Sequence, residues 1–169
     1  MNLTSLSIRK YRADDAQALT EIFYNAVESL SGDGYSPEEV RAWAPLPIDY
    51  DDWKKRLAHH RPWVAVLHST PIGFISLLPD GEVGLAYIHR AFQRRGVASK
   101  LYEAVENEAH SNGIKHLHVE ASHAAKPLFE RLGYDVTDCN RVERRGMELT
   151  NWKMKKALHG SDWVDKRCS

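Results

Sequence analysis

A basic turn, residues 93–99 (QRRGVAS), constrains the fold more than any other segment because of what stands on either side of it. Residues 83–88 (VGLAYI) are apolar and short enough for a buried strand, whereas the residues after the turn repeat apolar side chains at helical spacing. A strand that turns into a helix leaves the first amide N–H groups of the helix unpaired, and such amides bind anions. Gly96 lets the backbone approach an anion, and Arg94 and Arg95 add positive charge. The segment therefore predicts a binding turn for a phosphorylated ligand.

Composition limits the classes of function. The chain has 169 residues, 43% hydrophobic and 27% charged, which is typical of one globular domain. The number of Lys and Arg residues equals the number of Asp and Glu residues, at 23 each. The chain therefore has no excess positive charge that would indicate binding to a nucleic acid or to a membrane surface. Cys139 and Cys168 form neither a metal-binding spacing nor a disulfide framework, and no long apolar stretch indicates a signal peptide or a membrane span. We expect a cytoplasmic protein with no nucleic-acid or membrane partner.

Apolar periodicity predicts alternating strands and helices along the chain. Ser36-Pro37-x-Glu39 predicts a helix start, with a Ser cap, Pro at the first position and Glu at the third. We expect one domain over residues 1–159 and a disordered tail over 160–169. The expected order is a strand at 6–11, three helices before residue 61, three strands between 63 and 88, the helix after the turn, a strand at 116–121, a short helix at 124–132 and two final strands.

The turn Gln93-x-x-Gly96-x-Ala98 resembles the [RQ]-x-x-G-x-[GA] motif of the GNAT superfamily of acetyl-coenzyme A-dependent N-acetyltransferases, and it matches neither a Walker loop nor a dinucleotide fingerprint. Residues 125–134 (AKPLFERLGY) are similar to the family's A-x-x-[LF]-Y-x-x-x-G-F segment. The order of elements over residues 6–156 also resembles the family fold. Within the family the chain resembles the YafP-like branch, with which it shares 35–37 (YSP), 43–44 (WA), 94–99 (RRGVAS) and 124–127 (AAKP).

The resemblance implies an α+β fold of the α/β-sandwich type, with a single mixed, mostly antiparallel central sheet flanked by helices. It implies transfer of the acetyl group from acetyl-coenzyme A (acetyl-CoA) to a primary amine by direct attack in a ternary complex. We expect a small-molecule acceptor, a monomer or homodimer, and no metal, since the histidines give no third ligand at a settled spacing. The alternatives are a catalytically weak acyl-CoA-binding sensor and an acetyltransferase that acts on a protein or aminoacyl-tRNA amine.

The resemblance also implies where acetyl-CoA binds. The pantetheine arm is expected on the edge of the strand before the turn, the diphosphate on the turn, and the short helix beyond residue 124 on the other side. Ser122 replaces an Asn of many relatives but keeps a hydroxyl. The expected contacts come from Tyr87, Ile88, Arg90, Arg94, Arg95, Gly96, Val97, Ala98, Ser99, Ser122, Lys126 and Phe129.

Catalysis needs a base, because the amine must lose a proton to attack a thioester. Glu82 is the first candidate, since it lies eleven residues before Gln93, the spacing of the catalytic Glu in some histone acetyltransferases of this superfamily. The alternative interpretation of Glu82 is a solvated turn residue beside Asp80 and Gly81. Glu120 and His123, near the end of the next strand, are the other candidate bases.

Two further positions concern the leaving thiolate and the acceptor. Phe129 stands where many relatives have the Tyr that protonates the thiolate. A coenzyme A thiolate leaves readily near neutral pH, so an acid is helpful rather than obligatory, and water, Tyr134 or Tyr87 could supply the proton. Tyr35 and Trp43 are expected to wall an acceptor pocket, which favours a small aromatic or hydrophobic amine.

Overall fold

Strands and helices alternate along residues 4–158, the part of the chain that the computed structural model describes. The tail expected at 160–169 lies outside this part, and no helix within it is long and apolar enough to cross a membrane. The strands are β1 (Leu6–Lys10), β2 (Trp63–Leu67), β3 (Thr70–Leu77), β4 (Val83–Ile88), β5 (His116–Ser122), β6 (Asp135–Arg144) and β7 (Met147–Ala157). The α-helices are α1 (Ala16–Glu28), α2 (Pro37–Trp43), α3 (Tyr50–His60), α4 (Val97–Ser111) and α5 (Lys126–Arg131).

The strands form two antiparallel sheets, one in the order β1-β2-β3-β4 and one in the order β5-β7-β6. An isolated parallel bridge between Glu82 and His118 joins them, and the His118 amide donates to the Gly81 carbonyl at 3.0 Å. Beyond this bridge, no pairing within residues 4–158 connects β4 to β5. The α+β class is confirmed, but the central sheet is divided by a gap between β4 and β5, which we call the cleft.

Gly81 permits the junction of the two sheets. A Cβ atom at this position would lie 2.4 Å from the carbonyl oxygen of His116, and the φ angle of +94° is one that other residues rarely adopt. The absence of a side chain therefore lets the start of β4 approach the start of β5.

Each face of the sheets is covered by helices with one apolar stripe, as the periodicity predicts. On one face α1 and α3 bury Leu19, Phe23 and Trp53 against Phe74 of β3. On the other face α4 buries side chains against strands of both sheets. Removing each such side chain from water contributes about 1.5–3 kcal/mol, so the two cores hold both walls of the cleft in place. The α4-side core includes Ile75, Val97, Leu101, Val105, Leu117 and Met154.

Helix α2 and the β6–β7 hairpin lie together beside the cleft. The predicted capping box is present, since the Glu39 amide donates to Ser36 Oγ at 3.1 Å and the Ser36 amide donates to Glu39 Oε1 at 2.9 Å. At the hairpin tip, Arg145 Nη1 donates to the Ala42 carbonyl at 2.7 Å. This contact fastens the tip to the last turn of α2.

Candidate active site

The N-terminus of α4 has the geometry of an anion site. Gly96 precedes the helix with φ +84° and supplies no side-chain cap. The amides of Val97, Ala98 and Ser99 have no acceptor among the described residues, and the first bond from this turn runs from the Lys100 amide to the Gly96 carbonyl at 3.2 Å. Three unpaired donors at the positive end of a helix dipole favour a bound anion. The turn predicted from the sequence is thus formed.

Side chains from inside and outside the motif hold the turn in place. Gln93 Nε2 donates to the Ile88 carbonyl at 3.0 Å, which closes the loop onto the end of β4. The Arg90 amide donates to Asn25 Oδ1 of α1 at 2.9 Å. Asn25 was not predicted as part of the site, because no local pattern in the sequence relates it to a residue 65 positions later.

A β-bulge shapes the wall of the cleft on β4. Leu77 pairs with Val83 and Ile75 pairs with Ala86, so β4 has one residue more than β3 between these pairs. The amide of Leu85 in the bulge donates to Oγ of the fully buried Ser76 at 2.8 Å. Ser76 was not predicted as part of the site, although a serine inside the apolar run 72–78 is a detectable signal.

His60 of α3 packs behind the bulge. Its Nδ1 lies 3.1 Å from Ser76 Oγ, and a Cβ on Gly84 would lie 2.5 Å from its Cε1. The ring therefore fills the space that Gly84 leaves, and it supports the serine that binds the Leu85 amide.

His60 predicts a pH dependence of stability. Burial lowers the pKa of His60 below 6.5, and the charges of His59 and Arg56 lower it further. The unfolded chain then binds more protons than the folded chain, so stability falls as the pH drops through this range. We expect the unfolding free energy to decline from about pH 7 to about pH 5, and to decline less in His60→Gln. Urea titrations at each pH measure this, with the exposed His59→Gln as control; an equal decline in both variants would contradict the assignment.

The candidate bases lie along the cleft. Leu117, Val119 and Ala121 are buried on the α4 side of β5, so the alternation of a strand places Glu120 on the opposite face. By the same alternation, Glu82 lies on that face because Val83 is buried against the α4-side core.

The three candidates differ in their distance from the point where the sheets meet. Glu82 is half-buried at the closed end of the cleft, where its amide donates to Asp80 Oδ1 at 3.0 Å. Glu120 is exposed, two residues beyond the bridge, and His123 is exposed after the end of β5. The structure thus brings Glu82 and Glu120 to one face and leaves His123 at the rim.

Three aromatic side chains, Tyr35, Trp43 and Tyr87, line the open end of the cleft, and we call them the aromatic wall. The rings of Tyr35 and Trp43 are 5.7 Å apart, and Tyr35 Oη accepts a hydrogen bond from the Ala124 amide at 3.2 Å. Because Ala124 follows β5, Tyr35 spans from the segment before α2 to the far side of the cleft. Burial raises the pKa of Tyr87, while a hydrogen bond from Trp43 acts to lower it.

Phe129, which stands where many relatives have the Tyr that protonates the thiolate, lies in the core. It is 1% exposed, and its ring is 5.1 Å from that of Tyr134. Tyr134 is itself 3% exposed and accepts a hydrogen bond from Tyr102 Oη at 2.9 Å. Burial raises the pKa of both tyrosines. Of the two hydroxyls considered as substitutes, Tyr87 therefore borders the cleft and Tyr134 does not.

Ser122 and Lys126 lie at the beginning of α5. Ser122 Oγ accepts a hydrogen bond from the Ala125 amide at 3.1 Å, which positions the turn into the helix. Lys126 Nζ lies 5.0 Å from the centre of the Trp152 ring and 3.3 Å from Glu130 Oε1. Contacts within the protein thus hold both side chains in place next to the end of β5.

The family assignment follows from comparison with known proteins. Residues 32–156 match the model described as "Acetyltransferase (GNAT) domain". The chain belongs to the GNAT acetyltransferase family. It is 37% identical over 154 residues to the N-acetyltransferase YafP of Escherichia coli (strain K12), covering 90% of this chain and 97% of YafP. The resemblance drawn from the motifs is confirmed.

Solved structures agree with the GNAT assignment. A GCN5-related N-acetyltransferase from Rhodopseudomonas palustris superposes with a TM-score of 0.86 at 33% identity, covering 94% of this chain and 99% of the other. YncA from Salmonella typhimurium, solved with its cofactor acetyl-CoA, has a TM-score of 0.70 at 21% identity, covering 93% of this chain and 96% of YncA. The GNAT fold is confirmed, and the protein is an acetyl-CoA-dependent N-acetyltransferase.

The residues of this GNAT domain fit the cofactor. Unpaired amides at the start of α4 suit a diphosphate, and the unpaired edge of β4 suits an amide-containing arm. Among residues 4–158, no group of three or more His, Cys, Asp or Glu side chains could hold a metal ion.

Proposed function

We propose that the protein transfers the acetyl group of acetyl-CoA to the primary amine of a small molecule, by direct attack within a ternary complex. The observation that carries this proposal is the cleft, which has an anion site at the start of α4 on one side and the aromatic wall on the other. Two ligands approaching from opposite faces would meet between β4 and β5.

Each predicted cofactor contact has a part in this proposal. The diphosphate binds the amides from Arg95 to Ser99, with Arg94 and Arg95 nearby. The pantetheine arm pairs with backbone groups at Tyr87, Ile88 and Arg90 along the edge of β4. Ser122 and Lys126 lie on the opposite side, and the buried Phe129 supports that side from the core.

The acetyl transfer needs two proton movements. Glu82 accepts the proton of the amine through a water molecule, and the nitrogen lone pair attacks the thioester carbonyl carbon. The new C–N bond forms, the C–S bond breaks, and the thiolate takes a proton from Tyr87 or from water. Glu120 is the alternative base, since it lies on the same face of the cleft, and His123 at the rim is the third.

The aromatic wall favours an acceptor with an apolar or aromatic body. Tyr35 is hydrogen-bonded to the Ala124 amide and Trp43 is on a capped helix, so both rings are held before an acceptor arrives. A preorganised wall loses little side-chain entropy on binding a flat ligand.

The test is a panel of aromatic and aliphatic primary amines with acetyl-CoA, followed by the release of free thiol. We expect release with aromatic amines, initial-rate plots that intersect, and no acetylated protein by mass spectrometry, because the amine attacks the thioester directly. Tight acetyl-CoA binding without thiol release for any amine would favour the sensor alternative. Release with peptides or aminoacyl-tRNA alone would favour the macromolecular alternative.

A further inference from the structure

We propose that Ser76 and His60 are positioning residues for the acetyl transfer, because they hold the bulge that brings Glu82 and Tyr87 to one face of β4. This inference rests on the proposed function, in which Glu82 takes up the proton of the amine and Tyr87, or water, gives one to the thiolate. Ser76 and His60 act through the backbone of β4.

Glu82 and Tyr87 lie on the same face of the sheet, although their spacing predicts the opposite. Side chains of a regular strand point to alternate faces, so residues five positions apart lie on opposite faces. Tyr87 packs in the core on the side of α1 and α3, where its ring is 4.9 Å from that of Phe23. Val83, the neighbour of Glu82, is buried in the α4-side core, which places Glu82 on the same side as Tyr87. The alternation is therefore reversed once between them.

The bulge is the place of this reversal. Val83 packs in the α4-side core, whereas Leu85, two positions later, packs in the core on the other side. The register of β3 with β4 places both Gly84 and Leu85 opposite Ser76. One extra residue changes the face of every later side chain of the strand. A strand without it would present only one of the two proton-transfer groups to a given face.

Ser76 holds the bulge from β3. An extra residue in one strand disrupts the ladder and leaves backbone groups that need other partners. Ser76 is fully buried, and its Oγ accepts a hydrogen bond from the Leu85 amide at 2.8 Å. A buried amide that loses its acceptor destabilises the fold. The hydroxyl group therefore favours the bulged register over a regular one.

His60 holds the same hydroxyl from α3. Its Nδ1 lies 3.1 Å from Ser76 Oγ, and this oxygen already accepts the Leu85 amide. The hydroxyl hydrogen is therefore donated to Nδ1 of a neutral imidazole that carries its proton on Nε2. Burial lowers the pKa of His60, which favours the neutral form. The ring also lies against the bulge, since a Cβ on Gly84 would be 2.5 Å from Cε1 and 2.8 Å from Nδ1.

The experiment measures kcat with benzylamine and acetyl-CoA, and the dissociation constant of acetyl-CoA, in Ser76→Ala and His60→Leu. We expect kcat to fall about tenfold or more in each, because a small displacement of a proton-transfer group has an effect of this size. The dissociation constant should stay nearly unchanged, since the diphosphate is proposed to bind at the start of α4. His60→Asn keeps a hydrogen-bonding atom near the place of Nδ1 and should retain most of kcat.

Thr20→Val is the matched control. Thr20 is also fully buried on the side of α1 and α3, and its Oγ1 donates to the Ala16 carbonyl of α1 at 2.7 Å. The variant loses a buried hydroxyl group that has no hydrogen bond to β4 among residues 4–158. We expect lower stability in urea titrations and an unchanged kcat.

A double-mutant cycle separates positioning from a general structural effect. If Ser76 acts through Glu82, then Ser76→Ala should change kcat less than about twofold in a protein that already carries Glu82→Gln. The same cycle with His60→Leu in place of Ser76→Ala gives the answer if the serine variant does not fold.

An unchanged kcat in Ser76→Ala and His60→Leu, with turnover that depends on Glu82, would overturn this inference and leave the proposed function standing. An equal loss of kcat with and without Glu82→Gln would also overturn it, because the effect would then be structural. If Glu82→Gln keeps its full kcat, the inference fails together with the assignment of the base. If neither benzylamine nor any other amine of the panel releases thiol although acetyl-CoA binds, the proposed function fails and the inference fails with it.

Discussion

Replacing Gly96 with leucine is expected to weaken coenzyme A binding at least about 100-fold, equivalent to about 2.7 kcal/mol, while the protein stays folded. Gly96 has φ +84°, and a Cβ there would meet no protein atom within 4 Å. A leucine side chain would therefore occupy open space at the turn that begins α4, where the diphosphate is proposed to lie. Isothermal titration with coenzyme A measures the loss, and urea unfolding measures the stability.

Gly113 offers a matched control at the other end of α4. It has φ +71°, and a Cβ there would also meet nothing within 4 Å. Both leucine variants should lose about 1–2 kcal/mol of stability through the left-handed backbone, but only Gly96→Leu should lose affinity. Similar affinities for the two variants would contradict the assignment of the diphosphate to this turn.

Glu82→Gln is expected to lower kcat about 100-fold or more, within the range of general base catalysis, with an unchanged dissociation constant for acetyl-CoA. Glutamine keeps the size of the side chain but cannot take up the proton of the amine. The rate of thiol release at saturating amine measures the effect, and it should be largest at acidic pH, where free amine is scarce.

The neighbouring acidic residues separate the possible outcomes. Asp80→Asn is the control, because Asp80 Oδ1 accepts a hydrogen bond from the Glu82 amide and asparagine keeps that oxygen while losing the charge. If Glu120→Gln lowers kcat and Glu82→Gln does not, the base is Glu120. An unchanged kcat in both variants would remove the carboxylates from the mechanism and leave His123 to be tested.

Features that depend on neighbouring residues in the sequence were predicted well. The capping box of Ser36 and Glu39 and the helix after Gly96 both follow from side chains within one turn of the helix start. The burial of Trp53 follows from its spacing with Leu57 on one face of α3. The motif of the turn then selected the family and, through it, the arrangement of the strands.

The rest depends on contacts between distant segments. The bulge of β4 exists because Ser76 satisfies the Leu85 amide across two strands, and no periodicity marks such a contact. The junction of the two sheets depends on how closely Gly81 can approach His116. Arg145 and Ala42 are 103 positions apart, so the proximity of the hairpin to the aromatic wall could not be predicted.

The divided sheet has a consequence for the protein before it binds its ligand. Beyond the Glu82–His118 bridge, within residues 4–158, β4 pairs with β3 alone and β5 with β7 alone, so each strand keeps one free edge inside the domain. Free strand edges promote association with other chains. In the proposed binding mode the amide groups of the pantetheine arm cover the β4 edge. Bound acetyl-CoA would then occupy the place of a neighbouring strand on β4, and the protein would be more soluble when acetyl-CoA is bound than when it is absent.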